Sequence, residues 1–179
     1  GDITIPDTLG GYPVTCISDL SFSMCSDLTS VTIPDSVTFI GESAFYACSG
    51  LNNLFLTANN TKYTSEDGVL YNKDMSWLMQ YPAKKPGQFV IPDSVTSIGK
   101  YAFFNSYSLT SLTISKSVTD IGPNAFYRCS GLNDFVVSAK NMMYASVEGV
   151  LYNNDKSWLI QCPAKKAGNI LIPDSVMSI

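Results

Sequence analysis

The stretch Ile91–Leu109 reads IPDSVTSIGKYAFFNSYSL, and Ile33–Leu51 repeats it as IPDSVTFIGESAFYACSGL. A third copy, ISKSVTDIGPNAFYRCSGL, runs from Ile114 to Leu132. The first copy begins at Ile5 and contains an insertion, and a last partial copy begins at Ile172. A short unit repeated at a nearly fixed spacing is typical of a solenoid, in which each unit stacks on the next.

Two longer units interrupt the short ones and resemble each other. Ser49–Lys85 reads SGLNNLFLTANNTKYTSEDGVLYNKDMSWLMQYPAKK, and Ser130–Lys166 reads SGLNDFVVSAKNMMYASVEGVLYNNDKSWLIQCPAKK. The two copies lie 81 residues apart, as do the IPDSV segments that begin at Ile91 and Ile172. The repeats therefore predict a single solenoid domain, residues 1–179, of about seven coils with the last one truncated.

Each short coil begins with alternating apolar and polar residues, as in Val31–Ile33, which is the two-residue period of a half-buried strand. Pro34 is expected to end this strand because proline has no N–H to donate to a sheet. The apolar residues of Ile40–Cys48 recur at helical spacing and predict a short helical turn. Because one coil buries only a strip of surface, neighbouring coils are expected to stack through parallel strands about 4.8 Å apart.

The long coils carry additional apolar runs. In the first, GVLYN and SWLMQYP are joined by the polar segment Asn72–Asp74, which predicts a β-hairpin that protrudes from the coil. Gly68 and its counterpart Gly149 are expected to open the two hairpins. Trp77 and Trp158 take equivalent positions in them, where each either packs the hairpin onto the solenoid or contacts a ligand.

The segment Leu51–Asn59 fits the leucine-rich pattern L-x-x-L-x-L-x-x-N. The longer signature IPDSVTSIG..AF..C..L resembles the BspA-like, or Treponema pallidum type, leucine-rich repeats. Two segments depart from it, namely Ser115–Lys116 in place of Pro-Asp and Phe104–Ser106 in place of the Cys segment.

This resemblance implies an α/β solenoid. The expected shape is a right-handed arc with a parallel β-sheet on its concave side, short helical turns on the other side and β-hairpin insertions in two long coils. The resemblance also implies a bacterial or protozoan surface protein, from a family associated with binding to host matrix proteins and with attachment between cells.

Composition excludes several classes of function. The chain is 45% hydrophobic and 15% charged, which is enough apolar material for a folded core. Its net charge of −4 and pI of about 4.6 argue against a nucleic-acid partner, because that role needs a basic surface. No apolar run reaches the ~18 residues that span a bilayer, so we expect no membrane insertion. We predict a monomer. The five cysteines, an odd number, exclude a complete set of intramolecular disulfides. Cys25 and Cys48 are expected in adjacent coils within disulfide range, but their parallel side chains favour free thiols.

The chain has no histidine, which removes the commonest general base and the commonest zinc ligand. The best remaining carboxylates are Glu66, Asp67 and Glu148. They are expected in solvated loops, outside any buried cleft that would perturb a catalytic carboxyl group. We therefore predict that the protein is not an enzyme and uses no cofactor or metal.

The candidate binding surface is the outward side of the predicted parallel strands. Its positions alternate with the buried ones and carry mostly small or uncharged residues. The candidate partner-binding residues are Thr32, Asn53, Phe55, Val90, Ser111, Thr113, Asp134 and Val136 on the strands, with Trp77 and Trp158 on the hairpins. Such a face suits a protein or glycan partner better than a phosphate. The alternative is a merely solvated sheet whose β-branched residues serve strand propensity.

Three functions follow from these patterns. The first, which the family resemblance implies, is an extracellular or cell-surface module for protein binding and adhesion. The second is a carbohydrate-binding module that uses Trp77, Trp158, Tyr71 and Tyr152 as stacking platforms. The third is a structural spacer within a longer surface protein, since the repeat pattern is expected to continue past Ile179.

Overall fold

The computed structural model describes the whole chain, Gly1–Ile179, and contains eighteen short β-strands and no helix. In chain order they are β1 (Asp2–Thr4), β2 (Thr8–Leu9), β3 (Tyr12–Pro13), β4 (Cys16–Ile17), β5 (Ser30–Ile33), β6 (Phe39–Ile40), β7 (Asn53–Leu56), β8 (Tyr63–Glu66), β9 (Val69–Asn72), β10 (Trp77–Gln80), β11 (Gly87–Val90), β12 (Ser97–Ile98), β13 (Leu109–Ile114), β14 (Asp120–Ile121), β15 (Asp134–Val137), β16 (Tyr144–Val147), β17 (Val150–Asn153) and β18 (Leu159–Gln161). Parallel strands join neighbouring coils, and antiparallel hairpins lie within individual coils. The chain is a solenoid, as the repeats predict, but it is a β-solenoid and not the predicted α/β solenoid.

The alternating segment at the start of each coil forms what we call the first row of strands. Strands β1, β5 and β7 make one parallel sheet, and β11, β13 and β15 make another. In β5, Val31 and Ile33 are fully buried and Thr32 between them is partly exposed, which confirms the predicted alternation. Val31 lies in register with Leu54 of the next coil. Equivalent apolar side chains therefore stack along the core.

A second row of strands comes later in the coils than the first row. Strand β4 pairs in parallel with β6, and β10, β12 and β14 pair in the same way. Strands β6, β10 and β12 turn Ile40, Leu78 and Ile98 into the core. The second row is also interrupted, because β6 and β10 belong to different sheets.

The predicted helical turns are wrong. Residues 42–47 form successive turns in which Ser43 and Ala47 have positive φ angles of 55° and 58°. The same left-handed pair recurs in other coils, as Leu20 and Met24, Tyr101 and Asn105, and Asn124 and Arg128. Some N–H groups in these turns point to the next coil, and the Phe22 N–H donates to the Ala44 carbonyl at 2.9 Å. A helix would direct its N–H groups along its own axis, whereas these turns bind adjacent coils together.

Each long coil contains a three-stranded antiparallel meander, one strand more than predicted. Strands β8, β9 and β10 form the first meander, and β16, β17 and β18 form the second. Asp67 and Gly68 make the two-residue turn between β8 and β9, with φ angles of 50° and 76° that are typical of a type I′ turn. The glycine lies inside a tight hairpin and does not open one. The Asp-Gly pair was the sequence signal for the missed strand.

The pairing of β9 with β10 confirms the predicted hairpin, but the meanders do not protrude from the solenoid. Val69, Tyr71 and Leu78 are buried, because the meander supplies part of the core of its own coil. Strand β10 also continues the second row by pairing with β12. The extra residues of a long coil are therefore part of the stack.

The first meander also interrupts the first row, so the predicted continuous sheet is two sheets of three strands. The Leu54 N–H of β7 donates to the Gly68 carbonyl at 2.9 Å. In the second long coil, the Phe135 N–H of β15 donates to the Gly149 carbonyl at 2.8 Å. These turns occupy the strand edge that a following strand would need for pairing.

The interior consists of two apolar clusters that meet at the first long coil. One has 14 buried residues between Ile5 and Leu70, and the other has 19. Phe103 joins several coils, since its ring centroid lies 4.9 Å from that of Tyr81 and 5.6 Å from that of Phe126. Every coil therefore completes the core of its neighbours.

The buried asparagine is Asn60, whereas the leucine-rich pattern predicts Asn59 at this position. Asn59 is exposed, and Asn60 is buried. The side chain of Asn60 donates to two carbonyls of the preceding coil and accepts from two N–H groups of the turn that follows it. Asn141 makes the equivalent four hydrogen bonds in the second long coil.

Candidate binding surface

The outward side chains of the first row form two patches, one on each sheet. The first strand patch is Asp2, Thr4, Ser30, Thr32, Asn53 and Phe55, and the second strand patch is Gln88, Val90, Ser111, Thr113, Asp134 and Val136. Within each patch the residues lie in register across three strands. The structure thus brings together the strand residues proposed from the sequence, but in two groups separated by the first meander.

Three apolar side chains of the two patches are exposed. Phe55 and Val136 are each 45% exposed, and Val90 is 64% exposed. The residues beside them are mainly Thr, Ser, Asn and Gln, which are uncharged. Covering uncharged polar groups with a partner costs less solvation free energy than covering charged groups.

The charged residues of the patches are Asp2 and Asp134, one in each. The hydroxyl groups of Thr29 and Ser30 donate hydrogen bonds to the Asp2 carboxylate, and these bonds hold the pKa of Asp2 below its ordinary value. Asp2 lies in register with Ser30, and Asp134 lies in register with Ser111. The parallel line of outward residues in each patch, which contains Phe55 in one and Val90 and Val136 in the other, carries no charge.

Trp77 begins β10 of the second row, and Trp158 makes an isolated parallel bridge with Ser178. Neither residue belongs to a strand patch. Their side chains are 39% and 52% exposed, so both are accessible to a ligand. Tyr71 and Tyr152, in contrast, are 1% and 0% exposed, and the prediction that they act as stacking platforms is wrong. Each tyrosine is on the central strand of a meander, which is covered on both faces.

A cleft opens beside Trp77, and the sequence did not predict it. Its lining includes the apolar side chains of Leu70 and Met79. At its mouth the Lys100 Nζ lies 3.8 Å from the Glu42 Oε2. These two residues are distant in the chain and belong to different copies of the short repeat, so no local sequence signal links them.

The candidate carboxylates are not assembled into one site. Asp67 and Glu148 occupy equivalent turn positions in different long coils, and Glu66 precedes one of those turns. Across the whole chain, no three Cys, Asp or Glu side chains are grouped so that they could hold a metal ion.

All five cysteines are free thiols. The Cys48 Sγ donates to the Phe22 carbonyl at 2.9 Å, and the Cys129 Sγ donates to the Phe103 carbonyl at 3.0 Å. Burial raises the pKa of Cys48 to about 11 and that of Cys129 to about 12. These two thiols are core residues that also link neighbouring coils.

The parallel rows, the repeated asparagine and the leucine-rich segments define a leucine-rich-repeat solenoid. The family described as the BspA type leucine rich repeat region matches this chain in six copies, over residues 2–74 and 83–157. Since these ranges include most of the chain, the protein belongs to the BspA-type leucine-rich-repeat family, which confirms the resemblance. No curated protein matches the sequence. No helix of the structure is long and apolar enough to cross a membrane.

Solved bacterial structures share this fold. The pneumococcal vaccine antigen PcpA has a TM-score of 0.67 at 24% identity, over 74% of this chain and 33% of that one. A leucine-rich cell surface protein from Faecalibacterium prausnitzii has a TM-score of 0.61 at 28% identity, over 78% and 42%. A leucine-rich repeat protein from Eubacterium ventriosum has a TM-score of 0.59 at 28% identity, over the same shares. The chain spans less than half the length of each of these proteins.

Proposed function

We propose that this chain is a non-catalytic adhesion module that binds a protein partner through its two strand patches. The observation that carries the proposal is the exposure of Phe55, Val90 and Val136 on registered and nearly uncharged strands. Exposed apolar side chains with a polar surround are typical of protein-binding surfaces. The neighbouring Thr and Ser hydroxyl groups supply hydrogen-bond donors and acceptors for such a partner.

The strand patches offer a partner a fixed arrangement of side chains. Their backbone is held by parallel ladders to the adjacent coils, and the alternate residues of the same strands are buried in the core. A surface that is ordered before binding loses little conformational entropy on association. This rigidity favours a protein partner that matches the shape of the patches.

We further propose that the module acts outside the cell, on a host matrix protein or a cell-surface protein. The proposal is supported by the shared repeat family and by the Faecalibacterium prausnitzii relative, which is described as a cell surface protein. The free cysteines do not oppose this location, because the stack of coils supplies the core that smaller secreted domains replace with disulfides.

Solid-phase binding to fibronectin, fibrinogen and epithelial cells tests the proposal. We expect the triple variant Phe55→Thr, Val90→Thr and Val136→Thr to lose at least about tenfold in affinity, since apolar anchors dominate interface energies. Threonine keeps the strand propensity at these positions. The control variant Leu9→Ser with Met142→Ser changes two exposed apolar residues outside the patches and should bind normally. Equal binding by both variants, or binding no better than that of an unrelated solenoid, contradicts the proposal.

A further inference from the structure

The cleft beside Trp77 exists because the first long coil leaves a gap on the turn side of the solenoid. Between β10 and β11 the chain lacks the pair of left-handed residues that the short coils carry. The flanking coils therefore meet directly, with the ring centroids of Tyr46 and Phe104 4.2 Å apart and Lys100 within reach of Glu42. Trp77 lies in the space that remains between them.

One wall of the cleft is aromatic, and much of its lining is apolar. Ile40, Leu70 and Met79 line it together with the half-exposed indole of Trp77. A Cβ atom on Gly99 would lie 3.1 Å from the indole Nε1, so the ring rests almost directly on the backbone of the next coil. The indole is thus held in place while part of it faces the cleft.

The mouth of the cleft is polar. The Glu42 carboxylate accepts hydrogen bonds and the Lys100 ammonium donates them, and their side chains are 71% and 46% exposed. Asp19 adds a second carboxylate beside them, and its Oδ1 accepts the Glu42 N–H at 2.8 Å. Two carboxylates and one ammonium disfavour an anionic ligand. The acceptor and the donor together suit a neutral ligand with neighbouring hydroxyl groups.

We propose that this cleft is a carbohydrate-binding site that takes an uncharged pyranose ring. The C–H face of the sugar stacks on Trp77, because the negative face of an aromatic ring attracts partly positive C–H groups. One hydroxyl group donates to Glu42 and its neighbour accepts from Lys100. An apolar peptide side chain would cover the same lining but would leave both charged groups without new partners. The site is separate from the strand patches and is a second binding function of the chain.

The second long coil provides an internal control for this proposal. Trp158 takes the position equivalent to Trp77, but Pro123 stands at the position equivalent to Glu42. The carboxylate acceptor is therefore missing beside Trp158. A sugar that needs only an exposed indole would bind beside both tryptophans. A sugar that also needs the Glu42 carboxylate would bind only beside Trp77.

A glycan array probed with the whole chain tests the proposal. We expect binding to neutral glycans, a loss of at least about tenfold in Trp77→Ala, and unchanged binding in Trp158→Ala. Thermal unfolding of each variant confirms that it is folded. Absence of binding, equal loss in the two variants, or binding only to sialylated or sulfated glycans would overturn the proposal.

Fluorescence titration gives a second and sharper test. The variant Trp158→Phe retains Trp77 as its single tryptophan, and its emission should change saturably with methyl hexopyranosides or with the disaccharides found on the array. Adding Glu42→Gln should weaken this response about tenfold and shift the array profile towards anionic glycans, because Lys100 then lacks its counter-charge. A response to apolar peptides and not to sugars counts against the proposal. The strand-patch triple variant should keep sugar binding, so the two proposed functions fail independently.

Discussion

The Nδ2 of Asn60 donates a hydrogen bond to the carbonyl of Val37, 3.0 Å away in the preceding coil. The same nitrogen donates to the Pro34 carbonyl at 2.9 Å, and the Oδ1 accepts from the N–H groups of Lys62 and Tyr63 at 3.0 and 2.8 Å. All four hydrogen-bonding positions of this buried amide are satisfied. One side chain therefore joins the proline turn of one coil to the meander of the next.

Replacing Asn60 should destabilise the fold strongly. In Asn60→Ala, two carbonyls and two N–H groups lose their partner inside the protein, so we expect the free energy of unfolding to fall by about 3 kcal/mol. Urea denaturation measures the change. The neighbouring variant Asn59→Ala should stay within about 0.5 kcal/mol of the wild type, because that side chain is exposed. Similar losses in the two variants would contradict the assignment of the buried role to Asn60.

The close approach of Gly68 to the first sheet predicts a second position at which a substitution destabilises the fold. A Cβ atom on Gly68 would lie 2.5 Å from the Asn53 Oδ1 and 3.1 Å from the Asn53 Cα, at a φ of +76°. We expect Gly68→Ala to lower the free energy of unfolding by more than about 1 kcal/mol. Gly11→Ala is the matched control, since Gly11 also has a positive φ of +85° but faces open space. A cost for Gly68→Ala no larger than for the control would mean that the contact with Asn53 is unimportant.

Thiol reactivity should divide the cysteines by burial. Cys16 and Cys25 are exposed, whereas Cys48 and Cys129 are buried and have raised pKa values of about 11 and 12. Because the thiolate is the reactive form, a disulfide reagent such as dithionitrobenzoate at pH 8 should modify Cys16 and Cys25 rapidly in the folded protein. The two buried thiols should react only after denaturation. Mass spectrometry of the labelled peptides checks each site, and rapid labelling of Cys129 would contradict its position in the core.

The same two thiols should lower stability in alkaline solution. Their ordinary pKa is 9.0, and their folded values of about 11 and 12 are higher, so above pH 9 the unfolded chain binds fewer protons than the folded one. The stability that they contribute is complete below pH 9 and is lost as the pH rises towards 12. The double variant Cys48→Ala with Cys129→Ala should show a weaker decrease than the wild type over this interval. Parallel stability curves for the two proteins would refute the effect.

Phe103 should be among the most sensitive core positions, because its ring packs between those of Tyr81 and Phe126. We expect Phe103→Ala to cost about 3 to 5 kcal/mol of unfolding free energy. Phe39→Ala removes a side chain that is more than half exposed and should cost much less. Thermal and denaturant unfolding measure both changes, and equal costs would contradict a core shared between coils.

The strand predictions succeeded where a residue pattern has a single structural explanation. The period of two in Val31–Ile33 correctly identified the buried and outward positions of β5. The helical prediction for Ile40–Cys48 failed because two successive turns also return apolar side chains to the same side every three or four residues. The left-handed residues Ser43 and Ala47, four apart, produce this spacing without a helix. Neither residue is a glycine, so the sequence offered no sign of the left-handed backbone.

The repeats by themselves determined the stacked coils, the registered strands and the membership of the BspA-type family, because these depend on patterns that recur within a few residues. Tertiary structure alone decided that the first row of strands is split into two sheets, because the Gly68 carbonyl accepts a hydrogen bond from the edge of β7. It also decided that Glu42 and Lys100 meet beside Trp77. Such contacts join residues of different coils. They depend on the unequal lengths of the coils between them, which the sequence of a single repeat does not specify.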